Sequence, residues 1–278
     1  MSALSLVNHK LVGDTVSPMA CPKNHDKFIT GMPDTIIIHF TAGRDALSSA
    51  QYLCRDDIKA SAHIVIGRQG EIYQLVDFDT VAWHAGESQY AGRSWYNRYS
   101  IGIELDNAGR MEKVGTEFQA WFGQKYQAND VLQAVHRNEK MPSWWHVYTP
   151  EQIEACRKVC ELLIKSPAYN IGSILGHEEI SPGRKTDPGP AFPLDKFRSM
   201  LLSQNRSDDQ PLLDLDGIVV NADLLNIRES PSVEAKKVAQ PLLTGAKLKV
   251  LEEKNGWYRV ETKITGWVSK GFVKTDQK

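Results

Sequence analysis

The densest run of chemically capable side chains is Gly176-His177-Glu178-Glu179-Ile180-Ser181-Pro182-Gly183-Arg184-Lys185-Thr186-Asp187-Pro188-Gly189-Pro190, in which a histidine at a strand end leads into a Gly/Pro-rich loop carrying Lys185 and Asp187. Irregular backbone held by a rigid scaffold is where binding and catalytic groups concentrate. His39, in Ile36-Ile37-Ile38-His39-Phe40-Thr41-Ala42-Gly43, ends an apolar strand and enters a loop in the same way. Two imidazoles and one carboxylate make the three-ligand pattern of a catalytic zinc site, with the fourth position open to water; a structural zinc site is closed by four protein ligands. Each residue also has a plainer reading, as a buried histidine bonded to backbone or an aspartate capping a turn. Taken alone, the residue types leave both open.

Such residues need elements to place them. Asp34 to Phe40 is a β-branched run between Pro33 and Gly43 and reads as a buried strand. Ala46 to Asp57 reads as a helix. His63 to Ile66, the turn Arg68-Gln69-Gly70 and Ile72 to Val76 read as a hairpin, with Gly70 supplying positive φ. Ile101 to Leu105 is a further short strand. Thr149-Pro150-Glu151-Gln152 opens a helix, Thr149 as N-cap, Pro150 in the first turn and Gln152 completing a capping box. Within it Ile153, Cys156, Cys160 and Leu163 recur at helical spacing, which puts the two cysteines on a buried face. Strands alternating with helices predict an α/β fold, a mixed central β-sheet flanked by helices.

The 278 residues suit one large or two unequal domains. With 33 Lys and Arg against 34 Asp and Glu, the net charge of −1 gives no basic excess to recruit nucleic acid. No stretch of 18 or more residues is apolar throughout, so no membrane span is expected. Met1 to Met19 interleaves Asn8, His9, Lys10, Gly13 and Asp14 among its apolar residues and does not read as a secretory signal. The expectation is a protein made in the cytoplasm, acting there on soluble fragments or reaching a cell wall by phage lysis or a secretion system. Four scattered cysteines make no disulfide framework.

The motifs TIIIHFTAG, SAHIVIGRQGEIYQLV, AWHAGESQY, SIGIELDN and GHEEISPGRKTDPGPAF occur in this order over roughly residues 33 to 200. In this they resemble the type 2 N-acetylmuramoyl-L-alanine amidases, zinc enzymes that cut the bond between muramic acid and the peptide stem of peptidoglycan. The resemblance is to the branch whose third ligand is Asp, where some phage members have Cys. It implies His39, His177 and Asp187 as ligands of Zn2+, Glu104 as the base that moves the water's proton to the leaving alanine nitrogen, and Lys185 as the cation beside the oxyanion. It also implies that Trp83, His84 and Tyr90 contact the substrate, peptidoglycan or a muropeptide. His63 reads equally as a core histidine or a site residue, and His9, His25, His136 and His146 match no motif. Residues 107–149, with Trp121, Phe122, Tyr126, Trp144 and Trp145, are longer than a minimal member needs: a wall for substrate or a packed core.

The polar run at residues 203 to 210, SQNRSDDQ, reads as a linker. This divides the chain into a catalytic domain at residues 1–203, a linker at 204–218 and an all-β tail at 219–278, with strands at Lys247 to Glu252, Trp257 to Glu261 and Gly266 to Val268. Leu225-Asn226-Ile227-Arg228-Glu229-Ser230-Pro231-Ser232, Gly256-Trp257-Tyr258-Arg259-Val260 and Gly266-Trp267-Val268-Ser269 resemble bacterial SH3-like domains. That implies a small barrel with a cell-wall ligand, or one that only packs on its neighbour. A monomer is expected. Two other readings compete: a peptidoglycan-recognition protein without catalysis, which commonly lacks the third ligand, and a cysteine peptidase, for which Cys54 beside Asp56 and Asp57 is poorly activated.

Overall fold

The computed structural model describes residues 4–203 and, beyond them, 218–219, 224–232, 235–239, 241–243, 246–254 and 257–262. Backbone contacts divide the chain into two compact units, Met1–Asn205 and Arg206–Lys278. The expected linker at 204–218 lies almost wholly outside the described residues.

The first unit is built on a six-stranded mixed sheet. In it β4 (Thr35–Phe40) is flanked in parallel by β9 (Ser100–Leu105) and by the edge strand β15 (Ser173–Gly176). β5 (Ile64–Ile66) continues the parallel set beyond β9, β6 (Ile72–Gln74) folds back antiparallel through the Gly70 turn, and β3 (Val16–Pro18) closes that edge. A small hairpin, β1 (Ser5–Val7) and β2 (Lys10–Val12), precedes it. The continuous apolar run of β4 follows from its position, since a parallel strand is covered on both faces. One face presents Ile36, Ile38, Ile101, Ile103 and Leu105 to α2 (Pro150–Lys165) and α4 (Leu194–Ser203). Cys156 and Cys160 lie in that core, fully buried and free. A buried Ile contributes about 1.5–3 kcal/mol, so this face carries the apolar stabilisation and leaves the other free to hold polar groups.

Several boundaries differ from expectation for local reasons. α1 is Ala46–Leu53 and stops before Asp57: Cys54 caps it, and Arg55 turns back to pair with Asp57. At the start of α2 only half of the capping box forms. The Thr149 side chain accepts from the Gln152 amide (3.2 Å), whereas the Gln152 side chain turns inward and donates to the carbonyls of Ile66 and Asp106, 3.0 Å each. It ties the ends of two strands, a burial worth more than a reciprocal cap at an exposed helix end. Residues 107–149 form a separate five-stranded antiparallel sheet in the order β12 (Lys125–Tyr126), β11 (Glu117–Ala120), β10 (Arg110–Val114), β14 (Pro142–His146), β13 (Val131–Val135). Its small core is Ala108, Met111, Phe118 and Ala120, with Phe122, Tyr126 and Trp144 packed against it. Most of the aromatics there are core.

In the second unit β19 (Lys247–Lys254) pairs antiparallel with β20 (Trp257–Glu261) and with β16 (Ile218–Val219), and β17 (Leu224–Leu225) pairs with β18 (Leu242–Leu243). The expected strand at Gly266 to Val268 lies outside the described residues. No described helix is long and apolar enough to cross a membrane.

His63 resolves as a core histidine. Its ring lies between Phe28 and Phe78, Nε2 donates to the Thr80 carbonyl (2.9 Å), and Nδ1 accepts from the Gly102 amide (3.0 Å). Burial lowers its pKa to about 4. The unfolded chain takes up this proton near pH 6.5 and the fold only near 4, so the stability His63 contributes is complete above about pH 6.5 and is lost as pH falls toward 4. Imidazole nitrogen shifts followed by NMR should therefore show His63 neutral, with its proton on Nε2, down to pH 5. Protonation between pH 6 and 7 would contradict its burial as a neutral ring.

Candidate metal centre

The site lies at the C-terminal ends of the parallel strands, on the face opposite the isoleucine core. His39 is the fifth residue of β4, and register sets it directly beside Glu104 of β9. Ile38 pairs with Gly176, the last residue of β15, and the next residue, His177, begins the one-turn helix α3 (His177–Ile180). The loop after α3 returns Asp187, whose carbonyl accepts from the Glu178 amide (2.8 Å).

Three donor atoms converge. Nδ1 of His39, Nδ1 of His177 and Oδ2 of Asp187 lie 2.8–2.9 Å from one another, and all three residues are buried. Their neighbours determine where the ring protons sit. The Ser100 carbonyl can only accept, so Nε2 of His84 carries a proton toward it (3.1 Å), and Nδ1 of the neutral His84 ring is an acceptor. Nε2 of His39, 3.0 Å from that Nδ1, is therefore a donor, and its own Nδ1 is a bare lone pair. On the other side Nε2 of His177 donates to the Ala85 carbonyl (3.0 Å), which again leaves Nδ1 bare. Burial first, and then neighbouring His177, keep His39 neutral with a pKa of about 4, and burial with His39 and His63 nearby lowers His84 well below the usual range. Two lone pairs and a carboxylate oxygen thus face one point, an arrangement that a cation satisfies. Among the described residues this is the one group of three such side chains placed to hold a metal ion.

Beside it is a cavity of about 320 Å3, lined by His39, Ala42, Trp83, His84, Glu104, Lys185 and Asp187 among others. Glu104 is half-buried; desolvation of its carboxylate, and then Asp187, push its carboxyl well above the usual range, while Lys185 pulls it back. Its Oε2 is buried without a hydrogen-bond partner, a costly condition that points to a polar species in the cavity. Lys185 is half-buried on the same wall.

The structure thus brings together His39, His177, Asp187, Glu104 and Lys185. Trp83 and His84 also line the cavity, although both nitrogens of His84 are committed to His39 and Ser100. Tyr90 does not line it: it lies on the two-stranded ribbon β7 (Gln89–Tyr90) and β8 (Arg93–Ser94), where its carbonyl accepts from the Tyr96 hydroxyl. Cys54 does not line the cavity, and a hydrogen bond to Cys21 and then burial raise its thiol. Trp121 of the inserted sheet is the exception to the core reading: 78% exposed, it donates from its indole nitrogen to the carbonyl of Ala42, which lines the cavity (2.7 Å).

Residues that motif reasoning passed over complete the centre. Gly102, two positions before Glu104 on the same face of β9, leaves room for the His84 ring; a Cβ there would sit 2.3 Å from the ring carbon Cγ. The available signal was a glycine inside an otherwise apolar strand, which marks close approach of another group.

Two histidines and one carboxylate at the ends of a mixed sheet, with a half-buried glutamate beside them, make a site that could hold a single metal ion. The chain belongs to the N-acetylmuramoyl-L-alanine amidase family, whose model matches residues 30–190, and the bacterial SH3 domain model matches residues 223–274. Over 144 residues it is 37% identical to the 1,6-anhydro-N-acetylmuramyl-L-alanine amidase AmpD of Salmonella typhimurium, covering 52% of this chain and 58% of that protein. It is 30% identical over 165 residues to the N-acetylmuramoyl-L-alanine amidase AmiD of Escherichia coli, covering 57% and 49%. A crystal structure of a selenomethionine derivative of AmpD aligns with a TM-score of 0.49 at 26% identity, over 70% of this chain and 98% of that one. The chain spans little more than half the length of these AmpD relatives and about half that of AmiD.

Substituting Gly102→Ala should push the His84 ring off its seat and release Nε2 of His39. We expect zinc affinity, measured by chelator competition, to fall by about 10–100-fold, as when partners of metal-bound histidines are lost. Affinity equal to wild type would show that His84 does not orient His39.

Proposed function

We propose that this chain is a zinc-dependent amidase that hydrolyses the bond between N-acetylmuramic acid and L-alanine in peptidoglycan or muropeptides. The observation that carries the reading is the convergence of two bare imidazole nitrogens and a carboxylate oxygen beside the unpartnered Oε2 of Glu104. Nitrogen and oxygen donors in this ratio suit zinc, and the AmpD and AmiD relatives supply the bond by their names. Zinc bound there would polarise the amide carbonyl and acidify a water. His39, His177 and Asp187 would hold it. Glu104 takes the proton of the attacking water and returns it to the alanine nitrogen as that leaves, a transfer typically worth about 10²–10⁴-fold. Lys185 sets an ammonium against the oxyanion that forms on the carbonyl. Trp83, on the same wall, offers an aromatic face to a sugar ring or stem.

A recognition protein without catalysis would need the cleft but neither the third ligand nor the base. The presence of Asp187 and of Glu104 in register with His39 favours the enzyme.

Glu104→Ala should keep one zinc per chain and lower kcat by about 10²–10⁴-fold. Mass analysis of wild-type digests of a soluble muropeptide should show free stem peptide and no new reducing sugar ends. A near-normal kcat in the variant removes Glu104 from the role of base, and reducing ends would indicate a glycosidase.

For the second unit we propose a wall ligand. A tethered weak binder raises local substrate concentration without touching the reaction, so deleting residues after 203 should reduce activity on insoluble sacculi and spare a small soluble muropeptide. Equal loss on both would mean that the tail supports the catalytic fold. Equal activity on both would mean that it binds something other than this wall.

A further inference from the structure

The inserted sheet ends one of its hairpins against the loop that carries Asp187. Between β13 and β14, His136-Arg137-Asn138 meets Glu178, the neighbour of His177. His136 is buried with its ring stacked on Trp145, and its Nδ1 accepts from the Asn138 amide (3.2 Å). With Nδ1 an acceptor, the neutral ring donates from Nε2 to Oε2 of Glu178, 2.6 Å away. The same carboxylate accepts from the Gly189 amide (3.1 Å) and, through Oε1, meets Arg137 Nε at 3.1 Å. Asn138 donates to the Glu178 carbonyl (2.9 Å).

These contacts fix consecutive backbone groups of one loop. The Asp187 carbonyl accepts from the Glu178 amide, the Pro188 carbonyl from the Tyr148 hydroxyl (2.7 Å), and the Gly189 amide donates to the Glu178 carboxylate. Gly189 packs against the Trp145 ring, where an added Cβ would sit 3.0 Å from Cε3. Trp145 and His136 both belong to the inserted sheet, and Tyr148 follows it directly. The loop is therefore held on its back by the insertion while Asp187 points forward to the two imidazoles.

We propose that His136, acting through Glu178, is a positioning residue of the metal centre: the inserted sheet clamps the ligand loop and so places Asp187. This rests on the reading of His39, His177 and Asp187 as metal ligands. Without the clamp, Asp187 would have to be ordered when the ion binds, and affinity would fall by the cost of ordering that loop. Loss of groups that support metal ligands typically weakens binding about 10–100-fold.

The test is zinc affinity of the full chain, measured by chelator competition, together with amide hydrogen exchange of the metal-free protein. His136→Phe keeps a ring against Trp145 and removes the donor, while His136→Gln keeps a donor. We expect zinc binding weakened about 10–100-fold in His136→Phe and faster exchange at Gly189, with exchange in β4 and β9 unchanged and both effects largely restored in His136→Gln. Wild-type affinity in a folded His136→Phe would overturn the proposal. So would faster exchange throughout β4 and β9 with no rescue by glutamine, which would make His136 a general stability residue. If His136→Phe does not fold, Glu178→Gln, which keeps an acceptor for His136 and Gly189 but loses the charge facing Arg137, takes its place; Glu178→Leu, lacking any acceptor, must then bind zinc more weakly than Glu178→Gln, and equal affinities would overturn the clamp. Asp187→Ala separates the two ideas. If it binds zinc like wild type, or wild type binds none, the metal reading fails; if only the clamp variants match wild type, the metal reading stands and the clamp falls.

Discussion

Everything in the first unit is arranged around a point where three lone pairs meet at 2.8–2.9 Å. Buried lone pairs at that separation repel one another, and the N–H of each neutral imidazole is already directed elsewhere, from His39 to His84 and from His177 to Ala85. The fold has thus stored a position that a cation would satisfy. Its stability must come from elsewhere, and it does. The isoleucine-rich face of the same sheet is sealed by α2 and α4, and the polar face can then be built for geometry.

Strand register is what makes the geometry reproducible. In parallel pairing Thr35 to Phe40 face Ser100 to Leu105 residue for residue, so His39 and Glu104 project side by side. A slip of one residue would turn Glu104 into the isoleucine core and bring an isoleucine beside His39. The same alternation places Gly102 beneath Glu104, and its missing Cβ is the seat for His84. One strand therefore contributes the Glu104 carboxylate, a space and, through the Ser100 carbonyl, the proton placement that reaches Nδ1 of His39 two rings away.

That chain explains what the sequence disclosed and what it hid. His39 and the Gly176 to Pro190 segment were legible because each is a histidine at a strand end that leads into a loop, whereas Glu104 was legible only through the resemblance carried by SIGIELDN; register sets it beside His39. The β4, β9 and β5–β6 strands were legible from β-branched runs and from the Gly70 turn. The tautomers were not, because Ser100 and Ala85 act through backbone carbonyls, which every residue possesses. His136 and His146 matched no motif for a related reason: their partners, Glu178 and the Ala108 amide, are 42 and 38 residues away, joined only when the inserted sheet closes. Gln152 looked like half of a capping box because local pattern cannot report that two strand ends await its amide.

The place of the insertion is itself a consequence of topology. Sites on parallel strands form where the strands end, at their carboxyl edge. β9 ends at Leu105, one residue past Glu104, and the chain must next travel to α2, which begins at Pro150. Any segment grown in that connection leaves the sheet at the rim of the site, and lengthening a surface loop costs little closure entropy. Its root is closed by His146, which accepts from the Ala108 amide (3.1 Å), and by Asn107, which donates to the His146 carbonyl (2.9 Å), so the added sheet is anchored within a few residues of Glu104. From that root one side can reach Ala42 with Trp121 and another can reach Glu178 with His136. A segment grown at this point is bound to border the His39, His177 and Asp187 cluster, and a rigid one with its own small core restrains what it borders.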